Sequence, residues 1–328
     1  MEFPSVSVVM PVRNEAAKIK SCIEGILSQS VPVLEIIVVD SNSTDGTIEI
    51  LKSFEKVKVV EIKPQEFNHG LTRNLGVSYA KGEFVILTVG DARPADNNWI
   101  KNLLEGFDEP CVAGVCGQQV IPHERDKNPA QWFRPLSPPG KTKYYYPNSE
   151  IFHQLLPQEK KNACGWDDVT AMYRKDILQK IPFQKTSFAE DLLWSRDALL
   201  SGYSIVYNTA ARVYHYHNET PDFTFRRTLT ELYYRYKVFG VVPTKPVFKI
   251  RKQLTNIRLL FKAKISFNER WKWFKYNITL QMSDKKAVNT FLDALNRGEE
   301  YLDVLHEKLC GIPPTPGKKI INNQSLIH

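Results

Sequence analysis

The chain has 328 residues, 42% of them apolar and 24% charged, with a net charge of +8. This balance excludes a disordered chain or a small disulfide scaffold, and the length holds one large α/β domain plus a smaller appendage. Five cysteines (Cys22, Cys111, Cys116, Cys164 and Cys310) without CxxC spacing fit a reduced, cytoplasmic chain, and no stretch approaches the ~18 apolar residues of a membrane span. The opening MEFPSVSVVMPVRNE lacks a cationic region before its apolar run and a small-residue cleavage site, so it is not read as a signal peptide.

Val6 to Met10, closed by Pro11, reads as a first buried strand. Asn14 is the expected N-cap of a helix carrying Ile19, Cys22, Ile23, Ile26 and Leu27 at helical spacing. Leu34 to Val39 is a second buried strand, ending on Asp40-Ser41-Asn42-Ser43-Thr44-Asp45-Gly46. Helix Thr47 to Phe54 and strand Val57 to Ile62 follow. After a loop with Asn68 and Gly70, a helix is expected from Thr72 to about Ala80, with Thr72 as cap. Arg73 would then stand beside free N–H groups that face an anion. The apolar run Phe84 to Leu87 is a strand whose end carries Gly90-Asp91. Helix Trp99 to Phe107 and strand Val112 to Val120 complete an alternation that predicts right-handed βαβ units in a mostly parallel sheet. In such sheets ligands bind outside the carboxyl ends of the strands, so Asp40 and Asp91 are placed for chemistry.

From Pro122 to Pro157 the prolines forbid a long element, and Trp132, Phe133, Tyr144, Tyr145 and Tyr146 favour a functional lid. Order returns near Cys164-Gly165-Trp166-Asp167-Asp168, then in a helix Lys175 to Lys180. A further helix opens on Glu190-Asp191 and closes at Gly202. Short strands Ile205 to Tyr207 and Ala211 to Tyr214 lead to His215-Tyr216-His217. Residues 223 to 290 then hold 16 Lys and Arg against three acids, a net +13 in a helical pattern studded with Trp and Tyr. A last helix, about Ala287 to Leu309, precedes a Pro/Gly/Lys tail from Gly311 that should fray.

Each cluster has a bland reading. Asp40 and Asp45 bracket a turn, and acids at the start of a helix such as Glu190-Asp191 are favoured by the dipole alone. Two histidines two residues apart are more often structural than metal-binding. What raises the functional reading is their company: three acid clusters, a strand-end carboxylate able to hold Mg²⁺ or Mn²⁺, and a phosphate-type helix end.

Pro11-Val12-Arg13-Asn14-Glu15, IIVVDSNSTDGT, the RNLG helix, a strand-end Asp, a downstream Glu-Asp and a late HxH, in that order over residues 4 to 220, resemble a family 2 inverting glycosyltransferase of the GT-A fold. The form FNHGLTRNLGVSYAKGEFVILTVGDARPAD is most similar to the bacterial rhamnosyltransferase branch. The resemblance implies a GT-A domain over 1–220, with a Rossmann-like, mostly parallel sheet and flanking helices, and a basic helical region over 221–328. It implies that Pro11, Arg13, Glu15, Asp40, Asn42, Arg73 and Gly90 bind the nucleotide. Asp91, His215 and His217 would hold a divalent cation. Asp191, with Glu190, would act as the base. Trp166, Asp168 and Trp194 would face the sugar or acceptor. Val89-Gly90-Asp91 departs from the family's Asp-x-Asp metal motif, keeping one acid.

The expected substrates are a nucleotide-diphospho sugar, dTDP-L-rhamnose first and a UDP-hexose or UDP-N-acetylhexosamine as rivals, and a lipid-linked or cell-surface glycan. A non-catalytic sugar-nucleotide binding protein at the membrane is the rival from another class. The basic region fits an anionic membrane surface on the inner face of the cell membrane better than nucleic acid, for which it carries no recognised motif.

Overall fold

A computed structural model describes residues 3–311, apart from 125, 134, 248 and 249. The chain divides into two compact units, Met1–Pro122 with Pro135–Tyr216, and His123–Arg134 with His217–His328. Besides the stretch after Tyr216, the second unit thus takes in residues 123–134 from the loop read as a lid. The Pro/Gly/Lys tail beyond Gly311 lies outside the described residues.

The chain runs through β1 (Val6–Val12), α1 (Ile19–Leu27), β2 (Glu35–Asp40), α2 (Thr47–Lys52), β3 (Val57–Glu61), α3 (His69–Tyr79), β4 (Phe84–Leu87), β5 (Arg93–Pro94), α4 (Trp99–Leu104) and β6 (Val112–Val120). Next come α5 (Pro129–Trp132), a piece of the second unit, then β7 (Lys141–Tyr144), α6 (Ser149–Gln154), α7 (Pro157–Ala163), β8 (Ala171–Arg174), α8 (Lys175–Lys180), α9 (Glu190–Leu200) and β9 (Ser204–Tyr214).

The nine strands among the described residues join one sheet in the order β3-β2-β1-β4-β8-β6-β9-β5, with β7 also paired to β9. The half from β3 to β4 is parallel, and its inner strands β1, β2 and β4 carry the apolar residues of strands buried on both faces. The other half is mixed, because β8 enters antiparallel between β4 and β6. Two short strands expected at 205–207 and 211–214 are one, β9, which pairs parallel with β6 through an irregularity between Cys116 and Gln118. Part of the expected lid is also sheet: Lys141–Tyr144 pairs antiparallel with β9, and the Tyr144 ring stands edge-on to Tyr207.

Chain order reverses at β1, with β2 on one side and β4 on the other, the switch point at which open α/β sheets leave a crevice. α3 lies against β1 so closely that a Cβ on Gly76 would stand 2.3 Å from Val9 Cγ1. Two caps differ from expectation. α3 starts at His69 and is capped by Asn68, whose side chain accepts from Leu71 N at 3.2 Å. Thr72 lies too deep in the helix to cap it, and its hydroxyl accepts from Asn68 N instead. α1 starts only at Ile19, since Asn14 holds a left-handed φ of 57° and its side chain accepts from Thr44 N.

In the second unit, α10 (Pro221–Phe239), α11 (Ile250–Lys262), α12 (Phe267–Asn296) and α13 (Glu299–Cys310) give the helical region foreseen from composition. Thr220 caps α10, and Gly240 ends it in the left-handed conformation. Leu229, Leu232, Phe291 and Leu302 form its core. Among the described residues, no helix is long and apolar enough to cross a membrane.

Candidate active site

The crevice at the switch point is built by two loops laced together. Asn14 N donates to Ser43 Oγ, Glu15 N to Thr47 Oγ1 and Ala16 N to Asp45 Oδ2, all at 2.8–3.0 Å. Asp40, buried at the end of β2, accepts from Ser43 N at 2.8 Å and from the Ser43 hydroxyl. Asn42 holds a left-handed φ of 67°, which its short polar side chain tolerates. Pro11, Arg13, Glu15, Asp40 and Asn42 are therefore gathered at the ends of β1 and β2 and on the loops that follow them, with Arg13 exposed to solvent.

Past β4, Gly90 lets the chain pass under this loop pair: a Cβ there would meet Val12 Cγ1 at 2.9 Å and Glu15 Cγ at 3.2 Å. Asp91 follows with its carboxylate buried. Lys18 Nζ lies 3.0 Å from Asp91 Oδ2, and His215 Nε2 lies 3.4 Å from Asp91 Oδ1. Gln119 Oε1, 2.6 Å from His215 Nδ1, fixes the other ring nitrogen. Glu15 is nearby: burial, then the charge of Asp91, pushes its carboxyl up to about 7. One carboxylate oxygen and one imidazole nitrogen at this spacing suit a single divalent ion whose remaining positions go to oxygen ligands. The Lys18 ammonium marks the place as one that calls for positive charge. His217, two residues on, opens the second unit.

A second constellation surrounds the start of α9. Ala189 takes a left-handed φ of 63°, and the chain turns there so that Glu190 points inward onto Arg73. Arg73, in the second turn of α3, is buried between carboxylates: Nη1 is 2.7 Å from Glu190 Oε1, and Nε is 3.1 Å from Asp168 Oδ2. The second contact is an ion pair by distance, but its N–H is not aligned for a hydrogen bond. Arg73 was expected beside the nucleotide; its charge here is engaged by two acids far along the chain.

Tyr173 donates to Asp168 Oδ1, and Trp166 Nε1 donates to Tyr173 OH at 2.7 Å. Burial raises the Asp168 carboxyl to about 7, against the lowering effect of Arg73. Burial, followed by the charges of Glu190 and Asp168, holds the Asp191 carboxyl well above the usual range. Asp191 Oδ1 accepts from Leu192 N at 2.7 Å.

Trp194, expected on the acceptor side, is a core residue 1% exposed, with its indole N–H donating to Ile181 O at 2.9 Å. It was a ring one turn beyond Asp191 whose direction the sequence does not encode, and it packs edge-on against Tyr173 at 4.5 Å. Trp166 is also buried, 5.5 Å from Trp194 between ring centroids. Sequence reasoning missed Lys18, Gln119 and Tyr173. Lys18 lies 73 positions from Asp91, and no spacing rule links them.

The family model described as Glycosyl transferase family 2 matches residues 7–181. The O-antigen chain rhamnosyltransferase RfbN of Salmonella typhimurium is 29% identical, the match covering 68% of this chain and 69% of that protein. The O-antigen chain rhamnosyltransferase WbaN of Salmonella anatum is 28% identical over 69% and 70% of the two chains. Among solved structures, the mannosyltransferase PcManGT from Pyrobaculum calidifontis, in complex with GDP-Man and Mn²⁺, superposes with a TM-score of 0.51 at 17% identity. That likeness covers 94% of this chain and 80% of that one, and is one of fold, GT-A.

Proposed function

The chain belongs to glycosyltransferase family 2, and from that premise we propose that it moves L-rhamnose from dTDP-rhamnose, with inversion, to a hydroxyl of a lipid-linked or cell-surface glycan. The transferase activity follows from the family. The rhamnosyl donor is supported by the two O-antigen chain relatives.

The observation that carries the mechanism is the contrast at the start of α9. Glu190 is ion-paired with the Arg73 guanidinium, whereas Asp191 beside it accepts from the Leu192 N–H and has its carboxyl raised by burial and by the charges of Glu190 and Asp168. Asp191 is thus the group that takes the proton from the acceptor hydroxyl as its oxygen attacks the anomeric carbon. Glu190, held on Arg73, positions it. The loops of Pro11–Glu15 and Asp40–Asn42 hold the nucleoside, with Gly90 leaving room for the close approach. A divalent cation, Mn²⁺ or Mg²⁺, on Asp91 and His215, with His217 as a third ligand, would supply positive charge for the departing diphosphate. The acceptor and the net +13 of residues 223–290 favour work on the inner face of the cell membrane, as a peripheral protein with no role for nucleic acid.

The test is thermal stability of the full chain with dTDP-rhamnose, UDP-glucose, UDP-N-acetylglucosamine and GDP-mannose, each with Mn²⁺ or with a chelator. At a hundred times Kd the ligand adds about 2.7 kcal/mol, a rise of several degrees. The expected result is the largest rise with dTDP-rhamnose and Mn²⁺, lost on chelation and in Asp91→Ala. A larger rise with a UDP sugar replaces the donor. Binding that ignores both the chelator and Asp91→Ala removes the cation.

A further inference from the structure

α11 is amphipathic the wrong way round for a helix that serves only its own unit. Leu254 and Phe261 are each 61% exposed and Ile257 is 36% exposed. Spaced three and four residues apart, they form one stripe along the helix. The inward side holds Leu260 and Ala263 together with a buried Asn256. A surface helix ordinarily turns its apolar stripe to the core. Here an asparagine is buried while Leu, Ile and Phe meet solvent.

The stripe continues into the start of α12, where Phe267 is 71% and Trp271 53% exposed, one turn apart. The two helices are tied at this point. Arg270 Nε donates to Leu260 O at 3.3 Å, and its guanidinium lies 5.0 Å from the Phe261 ring. Lys275 Nζ lies 5.0 Å from the Trp271 ring. Residues 251–275 hold eight Lys and Arg against Glu269 alone, a net +7.

We propose that this face, the outer stripe of α11 with Phe267 and Trp271 of α12, is where the protein seats itself on an anionic lipid surface. The inference deepens the reading of a lipid-linked acceptor above and rests on it for purpose. The chemistry is complementary on both counts. Leu254, Ile257, Phe261, Phe267 and Trp271 offer apolar side chains to the boundary between headgroups and acyl chains. Arg258, Lys262, Lys264 and Arg270 keep their charges at headgroup level on long stems. A second copy of the chain is a poor occupant, since an isologous contact would set +7 against +7. Nucleic acid has no use for an aliphatic stripe of Leu and Ile.

The test is co-sedimentation of the full chain with phosphatidylcholine vesicles that contain or lack phosphatidylglycerol. The expected result is pelleting with the anionic vesicles only. The pair Ile257→Asp and Phe261→Asp, both on the surface, should cut the bound fraction about tenfold or more. The pair Lys262→Gln and Lys264→Gln should weaken it about fivefold per charge and make the remainder less salt-sensitive. Thermal stabilisation by nucleotide sugar is read in parallel on every variant and should not move. Equal pelleting of wild type and the Asp pair, or no pelleting of wild type, overturns the proposal. So does concentration-dependent self-association that the Asp pair abolishes, which would give the face to a second copy. Vesicle binding with no response to any of the nucleotide sugars leaves this face standing and sinks the proposed donor instead.

Discussion

Asp191→Asn should lower kcat by about 10³-fold or more while leaving nucleotide-sugar binding within about twofold. The substitution keeps the shape and the bond from Leu192 N but removes the lone pair that accepts the acceptor's proton. The pH dependence makes the assignment specific. A base works deprotonated, and burial with Glu190 and Asp168 nearby raises the Asp191 carboxyl. The rate should therefore climb with pH along an acid limb placed above the ordinary carboxylate range. Asp168→Asn removes one negative neighbour and should shift that limb to lower pH. Steady-state rates from acid to mildly alkaline pH on the three proteins decide the matter. Near wild-type turnover by Asp191→Asn, or an acid limb at about pH 4, would show that another group takes the proton.

The parallel half of the sheet was legible because Val6–Met10, Ile36–Val39 and Phe84–Leu87 are buried on both faces and read as apolar runs broken only by Ser7. Asp40 and Asp91 could be placed with it, since strand ends follow from strand runs. The mixed half was not legible. β7 and β8 are four-residue strands, and no local signal says that β8 inserts antiparallel between β4 and β6. The basic, helical character of the C-terminal stretch came from composition. That α11 turns Leu254, Ile257 and Phe261 outward did not, because periodicity finds a stripe and not its direction. The aromatic residues went astray for the same reason. Trp194 has the right spacing from Asp191 to share its face, yet the indole fills the core beside Tyr173.

Arg73 shows most sharply what only three-dimensional pairing reveals, and its replacement should have the largest effect on stability. Arg73→Met leaves Asp168 and Glu190 buried without their cation. Breaking a buried pair in this way costs about 3–5 kcal/mol, or a fall in Tm of about 10 °C for a unit of this size. Arg73→Lys should recover only part of the loss, since one ammonium cannot span both carboxylates as a guanidinium does. The deficit should also depend on pH. Asp168 already stands at about 7 through burial, and losing Arg73 removes the influence that lowers it. A carboxyl raised in the folded state binds more protons there than in the unfolded chain, so the variant should gain stability as pH falls and lose it as pH rises through that raised value. Adding Asp168→Asn and Glu190→Gln to Arg73→Met should restore Tm, because neutral amides no longer need the cation. Thermal melts of the four proteins at mildly acid and mildly alkaline pH measure all of this. An unchanged Tm in Arg73→Met, with nucleotide binding lost, would return Arg73 to the nucleotide and leave the carboxylates of α9 to hold their places without it.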